Sequence, residues 1–288
     1  MTHLELAGPL SADQSLFEQA VERLRRPDMG TEALAPYLYW LARFTRARRV
    51  VEIGAGFTSP FLARAIADNV SDTERERSML ATKTAKARSQ LGLDAPDERV
   101  ATEWLLDNPP LARPSYFESE YNAQLVMIDK DSQKLERVYD VLKTLDLTRY
   151  VQCISGDAQQ CVGRLEPGID LLWVDTWSTI SVVDACWRLV APTGGILAVH
   201  ALLGYPEGDA VREYLGSLVA IELGRVQALD LFEGHKLAQN SLTILRRTAD
   251  GVVRPSGRRY ALRSSLEWLS RDRPRGERNG AQQNGHTE

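Results

Sequence analysis

Three features of the 288-residue sequence predict an α/β protein built on a doubly wound, seven-stranded and mostly parallel sheet. Short β-branched runs alternate with helical stretches, a glycine-bearing turn follows the first run, and acids stand at the ends of several runs. Apolar runs of this length, without polar alternation, fit strands buried on both faces of a sheet that helices cover.

The elements follow in order. From Ser11 to Arg46, Leu16, Phe17, Ala20, Val21 and Leu24, then Leu38, Trp40, Leu41 and Phe44, recur at helical spacing. Residues 1–48 therefore read as N-terminal helices, punctuated by Pro27, Gly30 and Pro36. The core is expected over 49–250. Its first strand, Arg49–Ile53, breaks at Gly54-Ala55-Gly56, and a helix runs from Ser59 to about Asp68. Further strands are predicted at Leu125–Ile128, Val151–Ile154, Leu171–Val174 and Ile196–Val199, with helices at Asp131–Leu145 and Asp157–Leu165. Val226–Phe232 and Ser241–Leu245 are separated only by a short loop, which makes a hairpin and an antiparallel last strand.

One stretch is too long for its place. A minimal βαβ unit needs roughly 30 residues, so residues 70–122 form an insertion. It begins charged and helical (Asp72–Leu91) and ends rich in proline and aromatics: Pro109, Pro110, Pro114, Tyr116, Phe117 and Tyr121. Insertions of this size often serve as lids or binding loops. A C-terminal extension over 251–270 precedes a tail, 271–288, whose composition predicts disorder.

Composition excludes several classes. A formal net charge of -4 disfavours nucleic acid and acidic membrane as partners. The arginines of Thr73–Arg88 lack interleaved aromatics and read as a solvated helix face. No apolar run could span a bilayer, and the N-terminus lacks the basic start and apolar core of a signal peptide. Cys153, Cys161 and Cys186 form no C-x-x-C pair, so a reduced, cytoplasmic setting is expected.

Between the first strand and its helix, Glu52-Ile53-Gly54-Ala55-Gly56-Phe57-Thr58-Ser59 joins a tight turn to a helix N-terminus, where backbone N–H groups can meet a ligand. The same junction can also be purely structural. Asp129 closes the next strand, where doubly wound folds hold ribose hydroxyls. It is equally placed to cap the helix from Ser132. Ser59 departs from the third glycine of a dinucleotide fingerprint, and Glu52 favours a cationic amino group over a pyrophosphate. A NAD-type oxidoreductase is therefore the weaker enzyme reading.

Val51-Glu52-Ile53-Gly54-Ala55-Gly56, Asp129, Gly156-Asp157-Ala158 and Asp175 together resemble the class I S-adenosylmethionine-dependent methyltransferases. The segment Ile169–Trp177 is similar to that of catechol-type small-molecule O-methyltransferases. The resemblance implies S-adenosylmethionine as cofactor. Glu52, Gly54 and Gly56 would line its methionine moiety with Thr58 and Ser59 nearby, Asp129 its ribose, Asp157 and Ala158 its adenine, and Asp175 its methyl-donating end. Catechol-type enzymes bind a metal through an Asp at the position of Asp175 and through an acid and an amide after the fifth strand. Val199-His200 stands there instead, and valine cannot ligate, so no Mg²⁺ site is expected. Asp175 and His200 alone are too few for a softer metal.

His200 emerges at the same edge and suits a general base, with Asp175 positioning it or the nucleophile. Its structural alternative is a cap on the next loop. Glu233, His235 and Lys236 lie in the hairpin loop, as substrate contacts or a solvated turn. Tyr116, Phe117, Tyr121 and Trp177 are candidates for an aromatic substrate wall, while Trp173, Trp187 and Trp268 read as core. The expected activity is methyl transfer to a small molecule, at a hydroxyl or carboxyl oxygen, without metal. N- or C-methylation and a catalytically silent cofactor-binding subunit are the alternatives within the fold. A homodimer through the N-terminal helices or the insertion is compatible with the sequence.

Overall fold

The computed structural model describes residues 10–26, 29–91, 97–112, 114–177, 179–203, 206–222, 224–234, 241–248 and 258–271. In chain order these form α1 (Leu10–Glu22), α2 (Leu34–Thr45), β1 (Arg49–Ile53), α3 (Ser59–Gln90), α4 (Glu98–Leu106), β2 (Gln124–Asp129), α5 (Ser132–Thr144), β3 (Val151–Ser155), α6 (Ala158–Val162), β4 (Leu171–Val174), α7 (Ile180–Leu189), β5 (Ile196–His200), α8 (Pro206–Ile221), β6 (Val226–Phe232), β7 (Ser241–Arg247) and α9 (Arg258–Arg271). Two compact units result: residues 1–71 with 121–252, and residues 72–120 with 253–288.

The first unit holds a seven-stranded sheet in the order β3-β2-β1-β4-β5-β7-β6. Five strands run parallel, and β7 lies antiparallel between β5 and β6. This is the expected doubly wound sheet with its antiparallel last strand. Val50, Leu125, Leu171, Trp173, Ile196 and Ala198 pack on one face against Leu38 and Ala42 of α2, Leu62 and Ile66 of α3, and Leu135 and Leu142 of α5. Val51, Ile53, Ile128, Leu172 and Val199 pack on the other against Val183 and Trp187 of α7 and Val211 and Leu215 of α8. Burial on both faces explains why the strands read as unbroken apolar runs. The strand order reverses between β1 and β4, and at such a switch point the loops leaving two strands part to open a crevice.

The second unit is helical. Leu80 and Ala87 of α3, Val100, Ala101, Trp104 and Leu105 of α4, and Leu269 of α9 form its core. The Lys83 ammonium donates to the carbonyls of Asp107 and Pro109 at 2.9 and 2.8 Å and lies 4.5 Å from the centre of the Trp104 ring. Thus the inserted segment and the C-terminal extension share one core, a long-range pairing that no local pattern signals.

Three local expectations change. The helix starting at Ser59 does not stop near Asp68. It continues to Gln90, because no proline or glycine interrupts residues 61–90. Pro36 does not punctuate the N-terminal helices. It is the third residue of α2, where the missing N–H has no intrahelical partner to lose. Finally, α4 lies between the charged helical stretch and the proline-rich end of the insertion, where no element was expected, with Asp97 capping it through the Arg99 and Val100 amides. The tail from 272 onward lies outside the described residues.

Candidate active site

The turn after β1 is held from two sides. The Gly54 amide donates to the Ile128 carbonyl at 2.8 Å, and the Asp175 amide donates to Ile53 at 2.7 Å. Gly54 has φ +95°, and a Cβ there would lie 2.0 Å from the Asp175 carbonyl oxygen. Gly54 thus lets β1 and β4 close up beneath the turn. Gly56 differs: a Cβ there would meet only the Lys134 side chain, at 3.8 Å, so its space faces away from the sheet.

Glu52 stands in register with Met127 of β2 and Trp173 of β4, and it is fully buried. Thr58 Oγ1 donates to Glu52 Oε1 and accepts from Trp173 Nε1 at 3.3 Å. Ser59 also bonds the Glu52 carboxyl, while its Oγ accepts the Gly56 amide at 2.9 Å. Glu52 Oε2 is buried with no hydrogen-bond partner. Burial pushes the Glu52 carboxyl up from 4.5 to about 8; the bonds from Ser59 and Thr58 oppose this, Asp175 adds to it, and Lys134 opposes it. Folding therefore keeps a proton that the unfolded chain releases, so stability falls as pH rises from 4.5 towards 8. Glu52→Gln removes the titration. Its stability relative to wild type should rise with pH across that interval, by up to about 1.4 kcal/mol per pH unit. A difference constant over the interval, by thermal denaturation, would refute this.

Asp175 and His200 meet at the same edge. Trp173, Asp175 and His200 project from the face that carries Glu52, by the two-residue period of β4 and β5. His200 Nδ1 lies 2.7 Å from Asp175 Oδ1, and its ring centre is 5.8 Å from that of Trp173. Ala201 then turns with φ +58°, a left-handed conformation that costs a non-glycine residue about 1 kcal/mol or more. Its amide donates to the Ser241 carbonyl at 2.8 Å. His200 Nδ1 is thus held by Asp175, and the chain just after it by the bond from Ala201 to Ser241.

Asp129 Oδ1 accepts the Asp131 amide at 3.0 Å, and Oδ2 pairs with Lys134 Nζ at 3.0 Å. The cap of α5 is Asp131, which accepts the Lys134 amide, so the capping alternative for Asp129 is overturned. One residue, Lys130, separates these acids, and only the later one stands at the helix start. Asp157 is exposed and caps α6 through the Gln159 amide, with Ala158 next to it.

No protein-family profile matches the sequence, and neither does any curated protein. Solved structures do match. An O-methyltransferase from Bacillus cereus in complex with S-adenosylhomocysteine shares 12% identity at TM-score 0.53, over 85% of this chain and 94% of that one. An S-adenosylhomocysteine-bound methyltransferase from Podospora anserina shares 14% at TM-score 0.52, over 86% and 100%. An O-methyltransferase from Streptomyces achromogenes involved in tomaymycin synthesis, in complex with S-adenosylmethionine, shares 17% at TM-score 0.51, over 85% and 93%. The fold is that of the class I methyltransferases. At these identities the likeness is one of fold.

On that methyltransferase fold, Glu52, Gly54, Gly56, Thr58, Ser59, Asp129, Asp175 and His200 gather at the carboxyl ends of β1, β2, β4 and β5. Of the acceptor-side candidates, Trp177 is 63% exposed, so it is no part of the core. Glu233 is half-buried at the end of β6, and His235 and Lys236 lie outside the described residues. Tyr116 and Phe117 belong to the second unit, with ring centres 5.3 Å apart, and Phe117 packs on that unit's core. Tyr121 does not join an aromatic wall. It is buried, and its hydroxyl donates to the Arg46 and Ala47 carbonyls before β1, at the opposite edge of the sheet. Trp173, read only as core, is buried but also links Thr58 to His200. Lys134 was not singled out at all, though a lysine in a helix's first turn opposes the macrodipole and so signals another role.

Proposed function

We propose that the protein transfers a methyl group from S-adenosylmethionine to an oxygen of a small hydroxylated or carboxylic acceptor, with His200 as base and no metal. The observation that carries this is the 2.7 Å contact between His200 Nδ1 and Asp175 Oδ1, at the edge where the glycine turn opens. With Nδ1–H donated to the carboxylate, Nε2 is the nitrogen that takes the acceptor's proton.

The residues present fit the cofactor. The buried, unpartnered Glu52 Oε2 suits a cationic amino group, and Gly56 leaves the space above the turn to a ligand. A pyrophosphate fits worse, since Ser59 already takes the Gly56 amide. Asp129 would hold the ribose hydroxyls, and Asp157 with Ala158 the adenine. When bound, the cofactor supplies an electrophilic methyl, which passes to the acceptor oxygen as its bond to sulfur breaks and the electron pair stays on sulfur. Asp175 fixes the imidazole and stabilises it once it is protonated. Trp177 and Glu233 would border the acceptor. Free thiols at Cys153, Cys161 and Cys186 support a reduced, cytoplasmic setting. Among the described residues no helix is long and apolar enough to cross a membrane.

Isothermal titration should show micromolar binding of S-adenosylhomocysteine, while NADH fluorescence should stay unchanged on adding protein. No heat with S-adenosylhomocysteine at high micromolar concentration, or a blue-shifted NADH signal, would overturn the assignment.

A further inference from the structure

Lys134 crosses from the first turn of α5 to the glycine turn of β1. Its ammonium is 3.0 Å from Asp129 Oδ2, its stem is the nearest atom group to the vacant side of Gly56, and its charge reaches Glu52. The turn is thus flanked by a buried carboxyl with one unpartnered oxygen on one side and an ammonium on the other. An α-amino acid zwitterion carries the complementary pair, an ammonium for Glu52 and a carboxylate for Lys134. The present partner of Lys134 is also the residue assigned to the ribose. With the ammonium on it the Asp129 side chain is only 9% exposed, so a ribose diol reaches Asp129 where the ammonium now stands, and an ammonium left without a partner costs free energy.

We propose that Lys134 binds the carboxylate of the cofactor's amino-acid moiety, exchanging Asp129 for it on binding and so admitting only nucleosides that carry an anionic tail. This deepens the cofactor assignment and rests on it. The exchange keeps Lys134 paired in both states, with Asp129 in the free protein and with the ligand carboxylate in the complex, while Asp129 accepts hydrogen bonds from two hydroxyls. No step of it involves the acceptor.

Two nucleosides separate the effects. S-adenosylhomocysteine has the amino-acid tail; 5′-methylthioadenosine has the same ribose and base without it. Titration calorimetry of Lys134→Met should show S-adenosylhomocysteine bound about tenfold or more weakly, the loss of one charge-assisted hydrogen bond. Affinity for 5′-methylthioadenosine should hold or rise, because Asp129 no longer has to shed a lysine. Lys134→Arg should restore most of the selectivity. Equal weakening of both ligands would overturn the proposal and make Lys134 a support for Asp129. Equal strengthening would overturn it by making Lys134 a mere competitor, and no change would make it a surface lysine. If the wild-type protein binds neither nucleoside, the cofactor assignment itself fails and this role falls with it, whereas any of the other outcomes leaves that assignment standing.

Discussion

Gly54→Ala is expected to lower Tm by about 10 °C or more and to leave little folded protein at elevated temperature. Two costs combine. The backbone sits at φ +95°, which L side chains rarely adopt. The added Cβ would stand 2.0 Å from the Asp175 carbonyl oxygen and 2.7 Å from its carbon, far inside contact distance. Neither side yields easily, because Gly54 is bonded to Ile128 of β2 and Asp175 to Ile53 of β1. Strain of about 1–2 kcal/mol and overpacking of about 1–3 kcal/mol are large against the roughly 5–15 kcal/mol that holds a domain folded. At about 2–4 °C per kcal/mol the shift is readily seen. Gly194→Ala separates the two costs. Gly194 also has positive φ, +78°, but nothing lies within 4 Å of a Cβ there. That variant should lose only the strain, a few degrees in the same thermal melt. Equal shifts for the two variants would mean that close packing of β4 under the turn is not what Gly54 provides.

Why the sheet was legible and parts of the site were not follows from the range of the forces involved. Strands buried on both faces leave a local mark, so β1 to β5 fall within a residue or so of their expected bounds. The hairpin loop likewise forces β6 and β7 antiparallel, but their chain order does not say that β7 would insert between β5 and β6. Acids at strand ends are visible in the chain, and Asp129, Asp157 and Asp175 stand where they were expected. What each side chain touches depends on register between strands distant in sequence. Trp173 looks like core from its neighbours alone, and only the pairing of β1 with β4 sets it beside Glu52. Tyr121 and Phe117 share a segment and a composition, yet one packs before β1 and the other on a helical core in the second unit. Lys134 left one trace, a positive charge at a helix N-terminus. The pairing of α9 with α4 left none, because their contact joins segments that more than a hundred residues of chain separate.

His200→Ala should lower methyl transfer by about 10²–10⁴-fold, the usual worth of a positioned proton acceptor, while S-adenosylhomocysteine affinity stays within twofold or so of wild type. The reading is release of S-adenosylhomocysteine with whichever member of a panel of phenols and carboxylic acids turns over. The imidazole lies beside Trp173 and is tied to Asp175, so its removal takes away the proton acceptor without touching the Glu52–Thr58–Ser59 cluster. Asp175→Asn keeps the size of the side chain but removes the charge that favours protonated imidazole, and it lets an amide donate to Nδ1, leaving the proton on Nε2. It should therefore be slow as well. Asp175 also backs the glycine turn, so its own S-adenosylhomocysteine affinity must be measured beside the rate. The deciding comparison is the double variant. If Asp175 acts through His200, Asp175→Asn adds nothing once His200 is gone, and the double variant is no slower than His200→Ala. Losses that multiply would give Asp175 a separate role at the acceptor. Wild-type turnover by His200→Ala would remove the imidazole from the reaction and leave the acceptor's own acidity to supply the nucleophile.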